Sequence, residues 1–211
     1  MIPEIFRQFL LDLRQTGLPE FIAVITGILS VWYSRTENVL VYPFGLVNTI
    51  IYVWLSFHSS LLGEASVNLY YTALNIYGWI AWTRKDQQRQ YVLHVTRSTS
   101  REWAQQIAFF SFFYAATFFS LTFLKKHFAP QAIPWADAFA SATAYTGMWL
   151  MTRKKLESWY WWLATNFASI PLYFVKHYVF TSVYYVVLLI LAIGGLLEWI
   201  KRAKTSDYAV A

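Results

Sequence analysis

Seven apolar runs follow one another along the chain, each close to or beyond the length needed to cross about 30 Å of hydrocarbon as a helix rising about 1.5 Å per residue. They lie near Pro19–Ser34, Val39–Phe57, Ala65–Thr83, Trp103–Leu124, Ile133–Thr152, Glu157–Val175 and Phe180–Ile200, the first being the shortest. No soluble core of 211 residues needs so much apolar surface: hydrophobic residues make up 57%, charged residues 13%, and mean hydropathy is +0.37. The fold class expected is an all-α polytopic membrane protein with seven transmembrane helices.

The first three spans resemble the last three. Trp32 matches Trp149, Gly78 matches Gly195 and Trp82 matches Trp199 at an offset of 117, while Arg35 matches Arg153 and Asn48 matches Asn166 at 118. Four spans separate the starts of the two copies, so both enter the membrane in the same direction. A parallel 3+1+3 repeat with a pseudo-two-fold axis along the membrane normal follows. The expected organisation is an N-terminal amphipathic segment (1–18), a first three-helix bundle (19–83), a basic loop and linker helix (84–132), a second bundle (133–200) and a tail (201–211).

Basic residues set the expected orientation, because Lys and Arg are retained on the cytoplasmic side. The loops that share a side with the C-terminus hold twelve of the seventeen, from Arg35 and the 84–101 cluster to Arg153, Lys154, Lys155 and Lys201–Lys204. This predicts an outside N-terminus and a cytoplasmic C-terminus. The formal charge of +6 is then accounted for by loops beside lipid headgroups, without nucleic acid. The first fourteen residues have neither the basic start nor the cleavage site of a signal peptide and suit a surface helix.

Function is expected from the polar groups inside the spans. On a helix, Trp159, Trp162, Asn166, Ser169 and Tyr173 form one stripe, too polar to face lipid. Asn68, Tyr71, Asn75, Gly78 and Trp82 form another, and Gly45, Asn48 and Tyr52 a third. A lone Asn serves as interhelical glue worth about 0.6 kcal/mol, but three at one depth beside aromatic rings predict a mid-membrane binding site. Pro43 and Pro171, read as interruptions of the second and sixth helices, are either hinges or tolerated bends.

Chemistry for catalysis or metal binding is scarce. The chain has no cysteine, its four histidines fall in loops or at helix ends, and Glu64, Asp137, Glu157 and Glu198 lie near the interfaces. Asp137, about one turn into the fifth span, is either a water-facing end residue or part of a substrate path. The expectation is a non-enzyme without metal or cofactor, and without a buried acid for proton coupling: a passive carrier. Indole and phenol faces stack on flat heterocycles and attract cations at about 0.5–2 kcal/mol each. Asparagines bridge neighbouring hydroxyls, as on a ribose. A flat, hydroxylated molecule fits these groups.

The stretches Phe44-Gly45-Leu46-Val47-Asn48, Asn75-Ile76-Tyr77-Gly78-Trp79-Ile80-Ala81-Trp82 and Thr152-Arg153-Lys154, with Glu157, Trp159, Trp162, Asn166 and Ser169-Ile170-Pro171, resemble the PnuC family of nicotinamide riboside transporters, from about Glu20 to Trp199. The resemblance implies facilitated diffusion of nicotinamide riboside across a bacterial inner membrane, trapping by phosphorylation inside, a relation to SWEET sugar transporters and a homotrimer. Substrate-binding residues expected on this combined reading are Trp159, Trp162, Asn166, Asn48, Asn75, Tyr71 and Tyr52. The alternative is thiamine or another vitamin or nucleoside on the same scaffold, since thiamine is also a flat cation.

Overall fold

The computed structural model describes residues 7–11, 13, 17–58, 62–128 and 132–210. Among these the regular structure is helical: α1 (Leu18–Arg35), α2 (Val41–His58), α3 (Leu62–Thr83), α4 (Ser100–Phe128), α5 (Pro134–Thr152), α6 (Ser158–Val175) and α7 (Val179–Val210). Residues 7–11 are also helical, and Phe9 packs on Phe180 of α7 at 5.8 Å between ring centroids. The rest of the expected amphipathic segment before Gly17 is almost wholly outside the described residues.

Prolines at the first turns of α1 and α5 mark two helix starts, where a missing N–H costs nothing. The same holds for Pro43, the third residue of α2, so the expected interruption of that helix is absent. Pro171 does stand inside α6. There it withholds the donor that the Phe167 carbonyl would otherwise receive. At the other end of the chain α7 runs through Val210, so the expected tail continues the last helix.

Helices α1, α2 and α3 pack in sequence, and α5, α6 and α7 do the same. The two triplets meet where α1 lies along α7 and α3 along α5, while α4 rests outside on α5. Helix α4 over Ser100–Lys125 and α7 over Val179–Lys204 are each long and apolar enough to cross a membrane. The other five have 18–22 residues, or about 27–33 Å, and carry polar stripes that lower their hydropathy. Phe109 of α4 stacks on Trp149 at 4.7 Å, and Phe112, Phe119 and Phe123 of the same helix are exposed.

A constant step of 117 relates features of the triplets. Glu37, in the α1–α2 turn, and Lys154, in the α5–α6 turn, both have left-handed backbone (φ 56° and 52°), which is uncommon for residues other than glycine. They also touch one another: Lys154 Nζ lies 2.8 Å from Glu37 Oε2. Ser34 Oγ donates to Met151 Sδ at 3.2 Å across the same step. Trp82 Nε1 donates to the Met151 carbonyl at 3.2 Å, and Trp199 Nε1 donates to the Ser34 carbonyl at 3.2 Å. At this step Asn166 falls opposite Thr49 rather than Asn48, so the shift to 118 for the two asparagines is not needed.

Two polar regions differ from a simple loop reading. The second half of the basic loop is pinned to the α5–α6 turn: Leu156 N–H donates to the Thr96 carbonyl at 3.0 Å, and Val95 is buried. Ser98 Oγ donates to Glu157 Oε2 at 2.6 Å and accepts from Gln106 Nε2 at 2.8 Å, and Glu157 is buried within the protein. Asp137 accepts the Ile133 N–H at 2.6 Å and pairs with Lys176 at 2.6 Å, which occupies it as a helix cap and ion pair.

Candidate functional site

A cavity of about 90 Å³ lies where the two triplets meet. Helix α1 contributes Ser30, Val31 and Ser34, α2 Val41 and Tyr42, and α3 Asn75. From the second triplet come Met148 and Met151 of α5, Trp159, Trp162 and Asn166 of α6, and Leu188 and Ala192 of α7. None of these carries a charge.

Four of the seven residues expected from sequence border this cavity: Trp159, Trp162, Asn166 and Asn75. Asn75 and Asn166 are 4% and 3% exposed, and neither carboxamide is hydrogen-bonded to another described residue. Their polar ends open onto the cavity and are not sealed in the core, so both side chains are available to a polar group inside it. Asn48 contrasts with them. Its Nδ2 donates to the Ala23 carbonyl at 2.7 Å, tying α2 to α1 away from the cavity.

Tyr71 and Tyr52 also lie off the cavity wall. Tyr71 belongs to a layer with Tyr70 and Tyr145, at centroid distances of 5.9 and 6.2 Å, and Tyr52 lies within electrostatic reach of Tyr184. These rings fill the space between helices on the α1 N-terminal side of the cavity.

Sequence reasoning missed Tyr42, the two methionines and the small residues. Tyr42 had a signal, since the step of 117 carries it onto Trp159. Both are buried, and among the described residues the Tyr42 hydroxyl and Trp159 Nε1 are two of the three fully buried side-chain donors or acceptors without a partner. Each lies against a glycine: Tyr42 of α2 against Gly78 of α3, and Trp159 of α6 against Gly195 of α7. Trp82 stands edge-on to Tyr42 at 5.2 Å, and Trp199 edge-on to Trp159 at 5.6 Å.

The end of the cavity bordered by Ser34 and Met151 is closed. The crossed bonds from Trp82 and Trp199 lie there, and Glu37 beside them joins Lys154 and Arg202 Nη1, the latter at 3.0 Å. The Lys154 ammonium also sits 4.7 Å above the Trp82 ring.

An uncharged chamber of indoles and free carboxamides, enclosed by helices of membrane length, defines a membrane carrier for a small polar solute. The chain belongs to the nicotinamide mononucleotide transporter family, whose model matches residues 17–201. It is 25% identical over 205 residues to the nicotinamide riboside transporter PnuC of Escherichia coli, covering 88% of this chain and 86% of the relative. The riboflavin/roseoflavin transporter RibM of Streptomyces davaonensis is 23% identical over 192 residues, covering 90% and 88%. A crystal structure of the vitamin B3 transporter PnuC superposes with a TM-score of 0.73 at 20% identity, over 95% of this chain and 90% of that one, and shows the same fold.

Proposed function

We propose that the protein is a uniporter for nicotinamide riboside in a bacterial inner membrane. Its two three-helix bundles, joined by α4, would rock about the cavity, with phosphorylation inside trapping the product. The N-terminus lies outside and the C-terminus in the cytoplasm, following the basic loops, and the chain assembles as a homotrimer by analogy with the family it resembles. One observation carries the substrate reading: the carboxamides of Asn75 and Asn166, without a hydrogen-bond partner among the described residues, open onto a chamber that also holds Trp162. The pyridinium stacks on Trp162 beside Trp159, while Asn75 and Asn166 take the ribose hydroxyls and the carboxamide. Asn48, Tyr52 and Tyr71 act one layer away, holding helices rather than ligand.

The family description names the mononucleotide, yet the cavity wall has no Lys or Arg to balance a phosphate. This favours the riboside. A passive mechanism is supported in the same way, since the wall carries no carboxylate or histidine that would load a proton.

Calorimetry on the purified protein, with the riboside, its mononucleotide, thiamine and riboflavin, tests the reading. Riboside binding is expected to exceed mononucleotide binding at least tenfold. Trp162→Ala and Asn166→Ala are each expected to weaken it about tenfold, or about 1.4 kcal/mol. Equal binding of the mononucleotide would refute the charge argument, and preferential binding of thiamine or riboflavin would replace the substrate. In proteoliposomes, riboside uptake is expected to be unchanged when a proton gradient is dissipated.

A further inference from the structure

Trp162 owes its place to a glycine on the neighbouring helix. A methyl group built on Gly147 of α5 would stand 3.2 Å from Cδ2 and Cε2 of Trp162 and 3.3 Å from its Nε1, inside the 3.4–4 Å of ordinary contact. The indole is a rigid plane, so it has to move as a whole. Trp162 lies between α5 and the cavity, and motion away from α5 narrows the chamber. Asn75 is seated similarly: a methyl on Gly45 of α2 would stand 2.5 Å from its Oδ1 and 3.0 Å from its Cγ.

These seats are unequal in the two triplets. The step of 117 carries Gly45 onto Trp162 and Asn75 onto Ala192. Where the first triplet has no side chain, the second has an indole; where the first has a carboxamide, the second has a methyl. The Trp162 indole therefore comes from the second triplet and the Asn75 carboxamide from the first, and the gap between these two groups depends on how deeply each rests on its glycine.

We propose that Gly147 and Gly45 are specificity-determining positions, which set the indole-to-carboxamide gap and so the bulk of the flat molecule admitted. The ligand part of this inference rests on the site reading above, whereas the seating itself does not. Neither glycine touches the ligand; both are positioning residues.

The test uses the full chain in detergent, labelled with 5-fluorotryptophan, with the Trp162 resonance assigned through Trp162→Phe. Gly147→Ala is expected to shift that resonance and to weaken riboside binding about tenfold, and riboflavin binding, where present, by more. Gly194→Ala is the control, because its methyl would meet only Arg35, 3.3 Å from the flexible Nη1 end. It is expected to change neither reading. A Trp162 resonance that stays in place in Gly147→Ala, or losses equal in the two alanine variants, overturns the proposal. If Gly147→Ala folds poorly, its melting temperature is compared with and without Trp162→Phe: a smaller penalty beside the smaller ring supports direct seating, and equal penalties refute it. A wild type that binds none of the four ligands would defeat the substrate reading and leave the resonance and melting tests to decide the seat.

Discussion

Glu37→Gln is expected to destabilise the protein by about 1.5–3 kcal/mol, the cost of replacing the charged partner of a largely buried ammonium by a neutral acceptor. Its carboxylate receives Lys154 at 2.8 Å and Arg202 at 3.0 Å, and the Lys154 side chain is only 8% exposed. Without the carboxylate, that ammonium keeps the face of Trp82 and a neutral amide oxygen. Ring attraction of about 0.5–2 kcal/mol does not offset the desolvation of an unpaired charge. The outward Glu198–Arg202 pair supplies the comparison: at 3.4 Å and 40% exposure of the Glu198 side chain, Glu198→Gln is expected to cost under about 1 kcal/mol. Thermal unfolding in detergent separates the two. Adding Lys154→Met to Glu37→Gln is expected to restore much of the loss, since the stranded charge goes with it. Equal melting shifts for the two glutamine variants would mean that the buried pair contributes no more than a surface one.

Two adjacent glycines of α7 are expected to respond to alanine with opposite signs. At Gly195 the new methyl would clash with the six-membered ring of Trp159, a side chain 1% exposed and held edge-on by Trp199. Trp199 holds the indole edge-on and it can yield only toward the cavity, so Gly195→Ala is expected to cost about 3 kcal/mol, at the upper end of overpacking penalties. Ligand binding should fall with it, because Trp159 is part of the cavity wall. At Gly194 the methyl meets a movable Arg35 side chain, and the better helix propensity of alanine is expected to leave stability level or raise it by up to about 1 kcal/mol. The measurement is again thermal unfolding of both variants. A stable, ligand-binding Gly195→Ala would show that Trp159 is not held by backbone contact.

Much of the helix layout was legible because apolar run length is a direct physical signal. The boundaries of α5 and α6 fall within a residue of expectation. Pro43 was misread because its distance from the helix start decides whether it interrupts anything. The stripe logic found Trp159, Trp162, Asn166 and Asn75, since groups one or two turns apart share a face whatever surrounds them. Asn48, with the same spacing from its aromatic neighbours, is turned toward the Ala23 carbonyl and away from the cavity. Which carbonyl a stripe meets depends on how neighbouring helices are rotated, and spacing within one helix does not carry that. Met148, Met151, Leu188 and Ala192 were missed because an apolar cavity wall reads like core or lipid face.

The crossed tryptophan bonds also impose an order of events on synthesis. Trp199 reaches back 165 residues to the Ser34 carbonyl, and Arg202 reaches back the same distance to Glu37. At about 5–20 residues per second, roughly 10–30 s separate the making of these partners. During that interval the first triplet can insert and pack, but its Ser34 carbonyl lacks the indole that will cover it. The closed end of the cavity is thus among the last parts of the molecule that the ribosome makes possible, and a chain stalled before Trp199 leaves that end unsealed.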